Sequence, residues 1–478
     1  MLVNPPLREH EPPKHIPIGL AIIANVLLRE GHEVKVLDIN AERLSKSEVK
    51  QRIALASQYP VIGTGGLITS YKYLNWLLPE LKASNPQSTI VVGGAALTED
   101  PARLLTTTPA DIAVIGEGEI TMAEIVSVLE GNGALGTVKG IAYKNGDGQV
   151  TVNPPRPLIK DLDTLPLPAY GLFPMDIYVR NVAHAWIVGK KTEMSLITAR
   201  GCPYNCHYCF HIFGRGARTR TVGNVIAEMK HLIGKYGVES FIILDETFSI
   251  NKKRVMAFCD TLLDEGIRIP WSCSARVNLV DWEMLRKMKR AGCYRISYGI
   301  ESGSQKILDN MHKQVSVEQA HKAIALTRKA GIVCGTTFMF GYPGEDMDTI
   351  EETIQFCRKS LITPSQMFFT TPYPGCRLYE ETKDRIVARY GDVASFIEVL
   401  GDAYDFTINL TDFADDELLR LKKRSERMIR KLPVHKYPRF IYLWYKQLGL
   451  RLSTKHAVSG LWRRLVGRGA FEGKRRRE

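Results

Sequence analysis

Three cysteines fall within eight residues, Cys202, Cys206 and Cys209 in GCPYNCHYC, a C-x3-C-x2-C spacing with Tyr208 directly before the last thiol. The preceding Met194–Thr198 (MSLIT) reads as a short buried strand, which sets the cysteines on a loop leaving a strand end. Any fold of this chain must present three soft ligands from that one loop. Thiols gathered so closely bind a soft metal, hold an iron–sulfur cluster or form disulfides. Zinc normally takes a fourth ligand or an open water position, and its usual spacing pairs two C-x2-C units. A zinc knuckle or purely structural thiols are therefore the bland alternatives. The other six cysteines (Cys259, Cys273, Cys293, Cys334, Cys357 and Cys376) are scattered through apolar helix and strand patterns. That is the usage of a reducing compartment, not a disulfide framework.

Residues 1–137 alternate strand and helix. Strand-like runs are Met1–Asn4, Val34–Asp38, Val61–Gly63, Thr89–Val92 and Ile112–Ile115, with helical stretches such as Gly19–Arg29 and Tyr71–Ala83 between them. Five β–α units in sequence predict an α/β fold with a parallel sheet wound on both faces. Ligands of such sheets sit at the carboxyl ends of the strands. The loops there are glycine-rich: Gly63-Thr-Gly-Gly66, Gly93-Gly94 and Gly116-Glu-Gly-Glu119. Any one of these could simply be a tight turn. Three at successive strand ends mark Gly65, Gly66, Gly93, Gly94, Gly116, Glu117 and Gly118 as candidates for close approach of a large planar ligand. Residues 138–190 read as a hairpin turning at Asn145–Gly148 and then a Pro-punctuated linker. Residues 191–384 alternate again, with strands at Ser195–Thr198, Phe241–Leu244, Ser272–Ala275, Arg295–Tyr298, Cys334–Phe340 and Gln366–Thr370. Six such strands predict a partial (β/α)6 barrel of the TIM type, with its chemistry at the C-terminal strand ends. Residues 385–478 read as a helical C-terminal region.

The net charge of +13 is carried almost wholly by the end of the chain. Lys431 to Glu478 holds thirteen Lys/Arg against two Glu, a net of +11 that leaves only +2 for the other 430 residues. A nucleic-acid-binding face would spread positive charge over a folded domain, so nucleic acid is not the expected partner. Within that tail, Arg439–Leu452 (RFIYLWYKQLGLRL) and Ala457–Phe471 mix aromatic and aliphatic residues with Lys/Arg. Such segments suit an anionic membrane surface or pack an apolar face while exposing a basic one. The opening MLVNPP reads as a strand and not as a secretory leader. No run approaches the ~18 apolar residues of a spanning helix. The expected location is cytoplasmic, with possible peripheral contact at the inner membrane face.

The cysteine loop, the runs Val91-Val-Gly-Gly94 and Asp111-Ile-Ala-Val-Ile-Gly-Glu-Gly-Glu119, and the phrase Asp161-Leu-Asp-Thr-Leu-Pro166 together resemble the cobalamin-binding radical SAM enzymes. The resemblance covers residues 1 to about 385. It implies an N-terminal Rossmann-like cobalamin domain followed by the barrel. It further implies a [4Fe-4S] cluster on Cys202, Cys206 and Cys209, whose open iron takes the amino and carboxylate groups of S-adenosylmethionine (SAM). By the same resemblance Tyr208, Glu246 after the second strand, Ser274 and Arg276 after the third, Glu301 after the fourth and Gly341 after the fifth contact SAM. Glu246 serves the amino end, Arg276 the carboxylate and Glu301 the ribose. The implied activity is methyl transfer to an unactivated carbon through a 5′-deoxyadenosyl radical and methylcobalamin, with flavodoxin or ferredoxin as electron donor. Non-methylating ring closure or oxidation is the alternative. Two departures stand out. The D-x-H-x-x-G cobalt-ligand motif is absent, leaving His10 and His15 of the Pro-rich loop without its context. Cys376, in Pro-Tyr-Pro-Gly-Cys-Arg, occupies a place where relatives carry small polar residues, and is a candidate catalytic or substrate-contact thiol. A methylthiotransferase acting on RNA would need further cysteines before Cys202, and residues 1–201 contain none. A bare B12 carrier would not need a filled SAM site.

Overall fold

The computed structural model describes residues 1–8, 13, 15–55, 58–95 and 99–430, so His10 and the basic tail from Lys431 onward lie outside the described residues. The chain forms two compact units. One comprises Met1–Ala183, Lys191–Phe248 and Thr371–Ile408; the other comprises His184–Lys190, Ser249–Thr370 and the chain from Asn409.

The first unit is built on a seven-stranded sheet: β1 (Leu2–Asn4), β2 (Val36–Asp38), β3 (Val61–Gly65), β4 (Thr89–Gly93), β5 (Ile112–Val114), β6 (Ile141–Lys144) and β7 (Val150–Val152). Its order is β2-β1-β3-β4-β5-β6-β7. β1 to β5 pair in parallel, with Val3 opposite Leu37 and Thr64, and Val91 opposite Ile112. Runs such as TIVVG and IAV are apolar on both faces because helices cover both sides. The helix Ile18–Arg29 shows how: it buries Ile18, Ala21, Ile22, Ala24 and Leu27, a stripe at three- and four-residue spacing. Strand order reverses at β1, which lies between β2 and β3, and this opens a crevice at the carboxyl strand ends.

The hairpin has a different place from the one its sequence suggests. β6 pairs antiparallel with β5, and β7 with β6, so both extend the N-terminal sheet. Val138 and Ile141 join the core around Leu27, Ile112, Val114 and Ile125, because β5 would otherwise be an exposed apolar edge. The linker beyond is irregular but fixed, with Ala169 N donating to Ala21 O at 2.8 Å and Asn25 Nδ2 to Leu167 O at 2.6 Å.

The second alternation of strand and helix is a curled, parallel half-barrel. In the first unit, β8 (Met194–Leu196) pairs with β11 (Phe241–Ile243); between them a short antiparallel pair, β9 (Ala199–Arg200) and β10 (Arg218–Thr219), closes a loop. The second unit holds β12 (Trp271–Ala275), β13 (Cys293–Glu301), β14 (Val333–Phe340) and β15 (Gln366–Phe369), parallel throughout. The helices that follow start on side-chain caps: Thr221, Asn251, Asp281, Ser316 and Asp346 each accept from a backbone N–H three residues on. Short helices and Asp415–Arg430 make up the C-terminal region. Among the described residues no helix is long and apolar enough to cross a membrane.

Candidate functional site

The cysteine loop is held at its neck. β9 and β10 place Arg200 opposite Arg218, and residues 201–217 run between them. Gly201 sits at φ +86°, where a Cβ would lie 2.2 Å from Gly216 O, so only glycine lets the two sides of the neck close. Two like-charged arginines side by side require a counter-charge, and the loop after β5 supplies it. Arg200 donates to Glu117 Oε1 at 2.7 Å and to Glu119 Oε1 at 2.5 Å. Arg218 donates to both Glu117 oxygens at 2.9 Å and to Ile159 O at 2.7 Å, while Ile159 N donates to Glu117 Oε2 at 2.7 Å. Burial works against the charge on Glu117, but the Ile159 amide and the two arginines outweigh it and hold the carboxyl below its ordinary range. Burial likewise opposes the charge on Arg200, and Glu119 and Glu117 overcome it. Glu117, expected from the sequence at the corrinoid, thus commits its carboxylate to the cysteine loop.

None of the nine cysteines is in a disulfide; Cys206 is buried, and Cys202 and Cys209 are half-buried. Three soft thiols on one pinned loop are a donor set that fits an iron–sulfur cluster. Among the described residues no three His, Cys, Asp or Glu side chains already stand grouped to hold a metal ion. Cys202 Sγ lies 3.8 Å from Thr247 Oγ1, which follows β11. The two carboxyl groups before Thr247 differ sharply. Asp245 accepts from Thr198 N at 2.6 Å, Ala199 N at 3.0 Å and Thr198 Oγ1 at 2.5 Å, tying down the end of β8. Glu246 keeps Oε2 buried with no hydrogen-bond partner, and burial raises its carboxyl to about 7. A carboxyl with one buried oxygen unsatisfied, beside the thiol loop, fits a cationic ligand group.

Within the same unit a cavity of about 460 Å³ opens at the carboxyl ends of the N-terminal sheet. Its walls come from the loops after β1 (Leu7, Arg8, His15), β2 (Asn40), β3 (Leu67–Thr69) and β4 (Ala95). Phe210 and Ile212, directly past Cys209, complete it, together with Tyr373 and Asp402. His15 Nδ1 stands 2.6 Å from Ser195 Oγ of β8. The glycines predicted here act one step back from the wall. A Cβ on Gly65 would lie 2.0 Å from Gly93 O, and one on Gly94, at φ +126°, 2.0 Å from Gly66 O. Gly65, Gly66, Gly93 and Gly94 therefore let two loop backbones touch, and the residues after them, Leu67 and Ala95, face the cavity. Gly116 makes a left-handed turn with open space around it, and Gly118 packs near Ile23. Residue types gave no warning of the apolar wall, since Leu, Ile and Phe look like core.

Cys376 lies against the cysteine loop, with Leu378 N donating to His207 O at 2.8 Å and a Cβ on Gly375 placed 2.4 Å from the Phe210 ring. Its thiol is 1% exposed, and burial pushes it up to about 11. A thiol so held stays protonated at neutral pH and does not offer a ready thiolate.

In the second unit Ser274, at the end of β12, is half-buried, as is Arg276 just beyond it. Glu301 ends β13 in a left-handed conformation, φ 70°, and pairs at 3.4 Å with buried Lys313. Arg276 Nη2 donates to Lys313 O. Gly341, at φ +83°, donates its N–H to Glu345 Oε2 at 2.6 Å. Lys313 was not singled out by sequence; a lysine three residues past a helix reads as surface charge.

Both alternating blocks of the chain match known families. Residues 196–357 match the model of the radical SAM superfamily and residues 9–126 that of the B12 binding domain. An uncharacterized methyltransferase of Pyrococcus horikoshii is 35% identical over 368 residues, 76% of this chain and 78% of the relative. The anaerobic magnesium-protoporphyrin IX monomethyl ester cyclase of Rubrivivax gelatinosus is 29% identical over 378 residues, 77% of this chain and 67% of the cyclase. The radical SAM methyltransferase TsrM of Kitasatospora setae, solved with cobalamin and a [4Fe-4S] cluster bound, superposes with a TM-score of 0.66 at 18% identity, covering 81% of this chain and 74% of that one.

Proposed function

We propose that this chain, which belongs to the cobalamin-dependent radical SAM methyltransferases, transfers a methyl group to an unactivated carbon of a small-molecule substrate. The carrying observation is that one compact unit joins the three-thiol loop to the cavity at the carboxyl ends of the B12-type sheet, through Phe210 and Ile212. When bound, the cluster and SAM supply the radical chemistry, and the corrinoid supplies the methyl group. The protein's part is placement. Cys202, Cys206 and Cys209 would hold the cluster, and the loops after β1, β3 and β4 the corrinoid. Glu246 would accept from the SAM ammonium, with Tyr208 beside the last thiol. Ser274, Arg276, Glu301 and Gly341 would serve its carboxylate, ribose and adenine.

An external one-electron donor of the flavodoxin or ferredoxin kind completes the reaction. The neighbouring cyclase favours one second reading, ring closure or oxidation without methyl transfer. Anaerobic reconstitution with iron, sulfide and hydroxocobalamin, followed by product analysis with SAM, separates the two. Methyl transfer yields both 5′-deoxyadenosine and S-adenosylhomocysteine; 5′-deoxyadenosine alone would sink it. Cys202→Ala should abolish SAM cleavage while corrinoid binding persists. The basic, aromatic tail points to a lipid-like substrate met at an anionic membrane surface inside the cell, since clustered Lys/Arg there contribute about 1 kcal/mol each. Co-sedimentation with anionic liposomes should fall sharply when the chain ends at Leu432; equal binding by both forms removes the membrane reading.

A further inference from the structure

Left-handed backbone is unfavourable for any residue with a Cβ, so where it clusters the surrounding structure is enforcing something. Among the described residues five non-glycine positions have positive φ, and three of them surround one buried ion pair: Glu301 at 70°, His312 at 49° and Gln314 at 56°. The last two flank Lys313. Their shared conformation turns a short loop inward, so that Lys313 is 5% exposed while His312 and Gln314 remain exposed.

Four further features hold the arrangement. The β13–β14 register shifts between Gly299 and Glu301, which re-aims the end of the strand. A Cβ on Gly299 would stand 2.2 Å from Glu301 Oε1 and 3.5 Å from Lys313 Nζ, so the glycine makes room for the pair. Arg276, past β12, donates to the Lys313 carbonyl. Gln305 braces the far side, donating to Val315 O at 3.2 Å and accepting from Val317 N at 3.0 Å. A solvated surface lysine needs none of this. A buried lysine–carboxylate pair adds little net stability once desolvation of both ions is counted, so stability alone does not account for it.

We propose that Lys313 is a positioning residue of the SAM site: it holds the Glu301 carboxylate aimed so that both oxygens can accept from the ribose hydroxyls. This rests on the assignment of these strand ends to SAM made above. A carboxylate accepting two hydroxyls binds well only when its orientation is fixed beforehand. Lys313 supplies the fixing charge, and Arg276 links its loop to the adjacent strand end.

The test uses the full-length reconstituted protein and two probes, 5′-methylthioadenosine and its 2′,3′-dideoxy form, with affinities measured by titration calorimetry. The native protein should favour the hydroxyl-bearing probe by about tenfold or more. Lys313→Met should lose that preference, weakening binding of the hydroxyl-bearing probe and leaving the dideoxy probe unchanged, and Lys313→Arg should restore most of it. Should that variant fail to fold because Glu301 is left as a lone buried charge, Lys313→Gln keeps a hydrogen-bond donor beside the carboxylate without the fixed charge and must also lose the preference. Equal weakening of both probes, or a preference undiminished in Lys313→Met, overturns the inference alone. A native protein that binds neither probe overturns the assignment of these strand ends to SAM, and the inference with it.

Discussion

Asp245 and Glu246 are neighbours with opposite tasks. Asp245 is saturated by the end of β8 and is structural, whereas Glu246 has a buried oxygen without a partner and a carboxyl raised to about 7 by desolvation. With its folded value above the ordinary 4.5, Glu246 costs the unliganded protein no stability below pH 4.5 and withdraws its contribution as pH rises from there through about 7. A ligand ammonium reverses the preference by favouring the carboxylate. Affinity for S-adenosylhomocysteine should therefore rise as pH climbs through about 7, while Glu246→Gln binds more weakly and without that slope. Calorimetry across this range decides it; a flat native profile would remove Glu246 from the ammonium's side. Family resemblance singles out Glu246 by its place after a strand. It could not show that Glu117 turns its charge to Arg200 and Arg218, since that depends on which loops meet in space.

The elements were legible wherever periodicity was long enough to see. Every strand of both alternations was expected within a few residues of its place, because apolar runs bounded by Gly and Pro carry that signal. β9 and β10 were not expected: two residues each give no period, and their pairing is fixed by the charge cluster around Glu117. That cluster makes a strong prediction. Arg200→Met leaves Glu119 and part of Glu117 as buried uncompensated charge, with both carboxylate side chains no more than 5% exposed. Removing one partner of such a pair costs about 3–5 kcal/mol. Urea denaturation should show that loss, and hydrogen exchange should show residues 201–217 losing protection at the same time. A loss near zero would mean the neck is held by β9–β10 pairing alone.

At the scale of the whole molecule, compactness and motif boundaries part company. The sequence divides at 137/138, 190/191 and 384/385, yet the first compact unit takes in the hairpin, the cysteine loop and Thr371–Ile408. Motif boundaries follow the chain's rhythm, whereas compactness follows burial, and apolar edges recruit whatever segment can cover them. The consequence is testable on the N-terminal sheet. A fragment ending at Thr137 lacks Val138 and Ile141, both members of the core around Leu27, Val114 and Ile125, and bares the edge of β5. Losing two buried aliphatic side chains forfeits about 3–6 kcal/mol of burial, comparable to the whole stability of a small domain. A fragment ending at Ala183 restores β6, β7 and the linker's bonds to the helix Ile18–Arg29. It should melt cooperatively and bind hydroxocobalamin more tightly than the shorter one, which should aggregate through its open edge. Equal melting of the two fragments by circular dichroism would show that the hairpin is a passive connector after all.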